Sequence, residues 1–532
     1  MAGKEGDTES EDRGSGKEQV QTRSLWRRLT AHMEPTVFFG SAAVVIVFVA
    51  AGAGMTEATR SLFETVRAGI FHYFGWFYML IVTGFLLLTF AILASPARHI
   101  RLGGPDARPE FSRIGWFGML FAAGMGIGLV YFGVAEPLLH YQDPLEAEPL
   151  TDAAAVEATR LAYFHWGLHA WAIYIVFALA VAHAHFNRGL PLAPRAVLEP
   201  LIGERYKGPI GHGTDILCTV GTLLGVATSL GLGAMQINAS LSSFFDVPDS
   251  AWTQSLLIAG ITLAATISVV SGVKKGVQML SRANLYLIVL LAAFVFLAGP
   301  TLAVMELFVS ALGDYLRTLP RMSLHLGTGA SSEWQTTWTV FYWGWWISWA
   351  PFVAIFVARV SKGRTIKEFI LGVLLAPVLL TFFWFAVFGG TGIEAQRAEG
   401  GPDLITAVNE NESASLQAVL DTLPFASILI TVATVLILLF FVTSSDSGSL
   451  VDDIVTSGGK LHPPRAQRVF WALSEGAAAV TLLLLGGLSA IRNAAISLGL
   501  PMSLVLILAG IALWRTLRRD PEVQRRRSLR SR

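Results

Sequence analysis

Between Val37 and Trp514 the chain alternates long apolar runs with short polar breaks, and twelve of the runs are about 18 to 28 residues long, enough for a helix to cross a ~30 Å hydrocarbon layer. They lie near 37–54, 70–94, 115–135, 160–185, 214–241, 252–271, 283–305, 337–359, 367–390, 424–448, 469–488 and 496–514. Uninterrupted apolar runs of this length predict transmembrane helices, because a helix satisfies its own backbone groups where no water is available. A polar tail, residues 1–36, precedes the first run, unlike the short charged start of a cleavable leader.

Composition strengthens this picture. Of 532 residues, 53% are apolar and only 14% charged, more apolar length than one soluble core can use. The lone Cys218 falls inside a span, so no intrachain disulfide is expected. Loop charge supplies an orientation: one alternate set of loops holds 18 basic residues and the other holds 6. By the positive-inside bias both termini face the cytoplasm, as an even span count requires, and the expected location is the inner membrane.

The tails have opposite signs. Residues 5–18 are rich in Glu and Asp and predict a solvated arm. Eight arginines follow Trp514, where each is worth about 1 kcal/mol near an anionic leaflet, so membrane lipid is an expected partner. Glu306 to Arg321 mixes Leu and Phe with Asp314, Arg317 and Arg321 and predicts an interfacial rather than a crossing helix.

Candidate chemistry begins at FYWGWWISWAPF, where Trp343, Trp345, Trp346 and Trp349 occupy the centre of the eighth span. Membrane indoles ordinarily collect at the two water interfaces. At mid-depth they are either dense packing or a cage for a quaternary ammonium group, which indole faces hold through their quadrupole. The fourth span adds FHWGLHAWAIY; read as one helix, it places Trp166, Trp171 and Tyr174 within an arc of roughly 140°. His165 and His169 have metal-ligand spacing, but no carboxylate or cysteine nearby in the sequence completes a site, so no metal other than sodium is expected. Gly124, Gly126 and Gly128 interrupt the third span, and Gly344 and Pro351 flank the tryptophans of the eighth. Interruptions in matching positions of two halves point to an inverted-repeat transporter with a central site. In the tenth span Thr443, Ser444, Ser445, Asp446 and Ser447 form an intramembrane oxygen cluster suited to a hard cation.

Together the runs GMGIGLVYFGVAEPL, FHWGLHAWAIY, SLGLGAMQI, FYWGWWISWAPFVAIFVARVSKGRTIKEFILGVLL and FVTSSDS resemble, in order, the signature segments of the betaine/carnitine/choline transporters, over roughly residues 35–515. The resemblance implies an all-α polytopic membrane protein of twelve transmembrane helices with a LeuT-like inverted-repeat core. Two additional helices (37–114) would precede a first repeat (115–307), an interfacial helix and loop (308–332), a second repeat (333–514) and the basic tail (515–532). It implies an aromatic box of Trp166, Trp171, Tyr174 and Trp346, with Trp349 and Met125 completing the substrate contacts. It also implies a sodium site from the backbone of Ala122, Met125 and Phe440 and the hydroxyls of Thr443 and Ser444. A second sodium position would use Thr222 and Phe352, but Val226 stands where the family uses another threonine, and it offers no oxygen. Proton-coupled choline carriers of the family place an Asp at the position of Gly128, so the intact glycine favours sodium. The implied activity is sodium symport of an onium compound, chiefly glycine betaine, by a homotrimer, with no cofactor beyond Na⁺, no nucleic-acid partner and no enzymatic reaction.

Overall fold

A computed structural model describes residues 33–124, 126–271, 274–460 and 464–530, with the side chains of 121–124, 268–271, 274–282, 330 and 526–530 outside the description. The acidic arm, residues 1–32, and Met125 therefore lie outside the described residues. Counting helices of ten residues or more, the order is α1 Pro35–Gly54, α2 Thr56–Ala94, α3 Arg113–Gly124, α4 Ile127–Gln142, α5 Asp152–Trp166, α6 Leu168–Ala182, α7 Pro209–Phe245 and α8 Ala251–Ser271. It continues with α9 Lys274–Ala298, α10 Thr301–Ser323, α11 Phe341–Val360, α12 Ile366–Arg397, α13 Ala426–Thr456, α14 Arg465–Leu484, α15 Leu488–Arg519 and α16 Pro521–Arg530. Among the described residues there is no strand, only an isolated bridge between Arg101 and Thr365.

Every apolar run coincides with helix, but not every helix qualifies as a crossing. Eight helical stretches among the described residues are long and apolar enough, or nine if Ala283–Ala298 and Thr301–Ser323, bent by 108°, count as one. The third run is divided between α3 and α4, and the eleventh lies in a helix that carries Arg465, Arg468 and Glu475. The amphipathic stretch from Glu306 to Arg321 lies within α10.

Two expectations about irregular backbone are corrected. The eighth run is not unwound at its tryptophans: α11 passes through Gly344 and Pro351 as continuous helix, and the irregular turn is a π-type segment before it, Thr336–Val340. Gly344 serves packing instead, since a Cβ there would lie 2.9 Å from Ile496 Cα of α15. The fourth run, expected as one helix, breaks at Gly167 between α5 and α6. A Cβ at Gly167 would lie 2.3 Å from the Tyr163 carbonyl and 2.8 Å from the Phe382 ring, so the chain can turn there only without a side chain.

At one end of the bundle, the loops 100–111 and 361–366 hold each other. Leu102 N–H donates to Arg364 O at 2.9 Å and Gly363 N–H to Leu102 O at 2.8 Å, while the Arg364 guanidinium covers the Trp116 ring at 4.8 Å. Gly363 has φ +78°, and a Cβ there would meet the Arg108 carbonyl carbon at 2.2 Å. Thr365 and Glu368 then form a reciprocal capping box that starts α12. The basic tail continues into α16, which rests on residues near Pro96–His99 with Val523 buried.

Candidate functional site

The break between α5 and α6 sets the aromatic geometry. Trp166 ends α5, while Trp171 and Tyr174 lie on the first turns of α6, so the three rings come from two helix segments rather than one face. Trp346 of α11 gathers them: its ring centroid is 4.8 Å from Trp166 and 6.4 Å from Tyr174, and Tyr174 is 5.7 Å from Trp171. Trp349 joins at 6.4 Å from Trp346 and stacks on Phe352 at 5.5 Å. All five sequence-predicted rings are buried. A ladder of near-parallel rings at three- and four-residue spacing runs from Trp338 in the π-type segment along α11 through Tyr342, Trp346 and Trp349, with Trp345 stacked on Trp346 at 4.7 Å.

The intact Gly128 is part of this packing. A Cβ there would lie 2.7 Å from Trp345 and 3.2 Å from Trp166, so a longer side chain would displace the rings.

What holds the cage was not read from the sequence. Glu136 of α4 is fully buried, and its Oε2 accepts from Trp166 Nε1 at 2.8 Å and from Tyr342 O–H at 2.5 Å. Its Oε1 meets His165 Nδ1 at 2.6 Å and lies 3.4 Å from His140 Nε2. His165 Nε2 pairs with Thr339 Oγ1 at 3.0 Å, and the His165 carbonyl accepts from Trp346 Nε1 at 2.9 Å. One carboxylate and one histidine thus fix two cage indoles. This overturns the reading that no carboxylate stands near His165: Glu136, His140 and His165 bring ligand-type atoms within 4.8 Å of one another. Glu136 already accepts three hydrogen bonds in this arrangement, so the cluster orients rings with the lone pairs a metal would need. His169 pairs separately with Ser323 Oγ at 3.0 Å. A signal was available, because an acidic residue inside LVYFGVAEPLL is an intramembrane charge, which marks a functional position by default.

The cage also has unspent donors. Among the described residues the Tyr174 hydroxyl and the indole N–H of Trp349 are buried without a hydrogen-bond partner, and Trp349 packs on α7, where a Cβ at Gly225 would lie 2.8 Å from its ring.

Two of the segments predicted to hold the ion approach each other. The backbone opens between α3 and α4, and a Cβ at Gly126 would lie 3.9 Å from Ser444 Oγ. Thr443 Oγ1 donates to Leu439 O at 2.9 Å or Phe440 O at 3.2 Å and accepts from Asn284 Nδ2 at 3.2 Å. Phe440 is buried. Met125 and the side chain of Ala122 lie outside the described residues. At the second position, the Thr222 hydroxyl is buried with no partner among the described residues, and Val226 faces Gly448 of α13.

A family-wide sequence profile described as BCCT, betaine/carnitine/choline family transporter, matches residues 36–522. The chain belongs to the betaine/carnitine/choline transporter family. Members of this family are integral membrane transporters and not enzymes. The chain is similar to an uncharacterised transporter of Mycobacterium tuberculosis, 46% identical over 90% of this chain and 82% of the relative. It is 40% identical to the glycine betaine transporter OpuD of Bacillus subtilis over 91% of this chain and 94% of that protein. A glycine betaine/proline/choline transporter of Vibrio parahaemolyticus is 40% identical over 92% and 90% of the two chains.

Proposed function

We propose that this family member is a sodium-coupled symporter that imports a quaternary-ammonium compatible solute, glycine betaine, for osmoprotection. The observation that carries the reading is the contact of Trp346 with both Trp166 and Tyr174, with Trp171 against Tyr174 and Trp349 against Trp346. A trimethylammonium group has no hydrogen-bond donor, so buried π-faces are its natural receptor, each worth about 2 kcal/mol when desolvated. The free donors of Tyr174 and Trp349 and the opened backbone between α3 and α4 suit the carboxylate at the other end of a zwitterion. The Bacillus and Vibrio relatives, both named as glycine betaine transporters, support the same substrate.

Sodium would take backbone carbonyls of Ala122, Met125 and Phe440 and the hydroxyls of Thr443 and Ser444, tying α3 to α13. Each Na⁺ moved through 100 mV contributes about 2.3 kcal/mol, or roughly 1.7 decades of accumulation. The architecture proposed to use it is a LeuT-like pair of inverted five-helix repeats within twelve spans, assembled as a trimer in the inner membrane with both termini cytoplasmic. Uptake of labelled glycine betaine, choline, carnitine, ectoine and dimethylsulfoniopropionate into sealed proteoliposomes, with and without an inward sodium gradient, tests it. Sodium-stimulated glycine betaine uptake is expected, and uptake indifferent to sodium would sink the coupling.

A further inference from the structure

The break between α5 and α6 exposes backbone groups on both of its sides, because the last carbonyls of one helix and the first N–H groups of the next have no partner within their own helix. On the α5 side, the His165 carbonyl accepts from Trp346 Nε1 at 2.9 Å, so the cage itself holds that end. On the α6 side, Leu168 N–H donates to the Tyr315 hydroxyl at 3.3 Å. Tyr315 belongs to α10, the amphipathic helix bent by 108° from the segment before it, and α10 carries none of the cage residues.

Tyr315 stands in the wall of the turn. It is buried, on the same side of α10 as Ala311, Thr318 and Met322. Its ring lies 5.1 Å from Phe382, edge to face, and Phe382 stacks on Tyr163 at 4.0 Å. The Phe382 ring and the Tyr163 carbonyl are the groups that a Cβ at Gly167 would strike. The aromatic packing that forces the turn therefore also delivers the hydroxyl that caps it.

Two further ties join α10 to the same break. Eight residues beyond Tyr315, Ser323 Oγ meets His169 Nε2 of α6 at 3.0 Å, and the Ser323 carbonyl accepts from Thr83 Oγ1 of α2 at 2.7 Å. Asp314, the neighbour of Tyr315, pairs with the buried Arg160 of α5, Oδ2 to Nε at 3.4 Å. α10 thus grips α5 through Arg160 and α6 through Leu168 and His169, and the two α6 contacts fall between Trp166 and Trp171.

We propose that Tyr315 is a positioning residue for the substrate cage: its hydroxyl caps the open end of α6 and, with the Ser323–His169 pair, makes α10 the element that fixes Trp171 and Tyr174 relative to Trp166. Binding geometry depends on such supporting hydrogen bonds, and here they come from a helix that touches no substrate. Packing alone is the rival role. A phenylalanine at 315 would serve packing equally well, since the ring contact with Phe382 would remain, but the Leu168 N–H would lose its acceptor.

The inference rests on the aromatic-cage reading, and the experiment separates the two. Purified full-length protein in proteoliposomes is assayed for uptake of radiolabelled glycine betaine in sodium buffer, and betaine binding is followed in parallel by tryptophan fluorescence. Tyr315→Phe should raise KM and Kd together about five- to tenfold, with maximal rate within about twofold of wild type. Ser323→Ala should raise both by about threefold. Thr318→Val deletes a hydroxyl that bonds back to the Asp314 carbonyl of its own helix at 2.7 Å, and should leave both constants unchanged. Wild-type KM and Kd in Tyr315→Phe overturn the positioning role, as does an equal rise in Thr318→Val, which would report a general loosening of α10. If Tyr315→Phe fails to reach the membrane, unchanged affinity in Ser323→Ala overturns it alone. Wild-type affinity in Trp346→Leu, or no response of the wild type to betaine, would instead remove the cage reading itself.

Discussion

Glu136 and Glu475 are both fully buried glutamates on helices of the same bundle, yet their surroundings are opposite. Glu136 receives Trp166, Tyr342 and His165, with His140 beside them, and its hydrogen bonds end on the cage. Glu475 receives one serine hydroxyl and is otherwise surrounded by acids. A satisfied buried network rigidifies what it touches, whereas an unsatisfied one is held at a cost that a ligand can remove. The first glutamate therefore fixes the rings around it, whereas the second keeps one oxygen, Oε1, without a hydrogen-bond partner among the described residues.

The largest effect should come from breaking the satisfied side. Glu136→Leu leaves Trp166, Tyr342 and His165 without an acceptor, and loss of one partner in such a buried network costs about 3–5 kcal/mol. Initial glycine betaine uptake should fall at least about a hundredfold, while Glu136→Gln, which keeps one acceptor oxygen, should fall about tenfold. Equal uptake in both variants and wild type, at matched membrane abundance, would remove the positioning role.

Next in size is the receptor that Glu136 supports. Trp346→Leu keeps apolar bulk but deletes the quadrupole and the N–H donated to His165, so apparent affinity should weaken at least about tenfold with insertion intact. Unchanged uptake kinetics would dissolve the cage.

A smaller change is expected where oxygen ligands are lost singly. Thr443→Ala and Ser444→Ala should each raise half-saturating sodium by about fivefold. Ser445→Ala, whose hydroxyl serves Glu475 instead, should move it by less than about threefold. The same shift in all three would detach the first ion from α13.

The smallest effect belongs to a carboxylate outside the spans. Glu146, half exposed, pairs with Arg321, which holds its carboxyl below the usual carboxylate range. A lowered folded value means the stabilisation is complete above the ordinary Glu value near 4.3 and is lost as pH falls through the lower folded one. Glu146→Gln should cost less than about 1 kcal/mol at neutral pH. The gap in thermal midpoint should close in acid; a gap that widens there would contradict the pairing.

Apolar run length made the helices legible and marked an integral membrane protein, because lipid leaves a long apolar segment few other states. The five aromatic residues and the α13 hydroxyls were also legible, as residue types rare at mid-span. Legibility ended where the backbone departs from a uniform helix. The turn at Gly167 depends on the Phe382 ring pressing from α12, and the continuity of α11 through Gly344 depends on α15 lying close against it. Neither neighbour is near in sequence, so a local pattern could not register them.

By itself, then, the sequence determined that the chain is a helical, integral membrane protein, which rings and hydroxyls its apolar runs carry, and the family to which it belongs. Only the tertiary structure decided which buried carboxylate is spent and which is free. That difference depends on what arrives from other helices: Trp166, His165 and Tyr342 reach Glu136 from α5 and α11, while among the described residues Ser445 is the one hydrogen-bond partner of Glu475. A carboxylate's chemistry is set by its partners in space, and in a helical bundle those partners lie tens to hundreds of residues away along the chain.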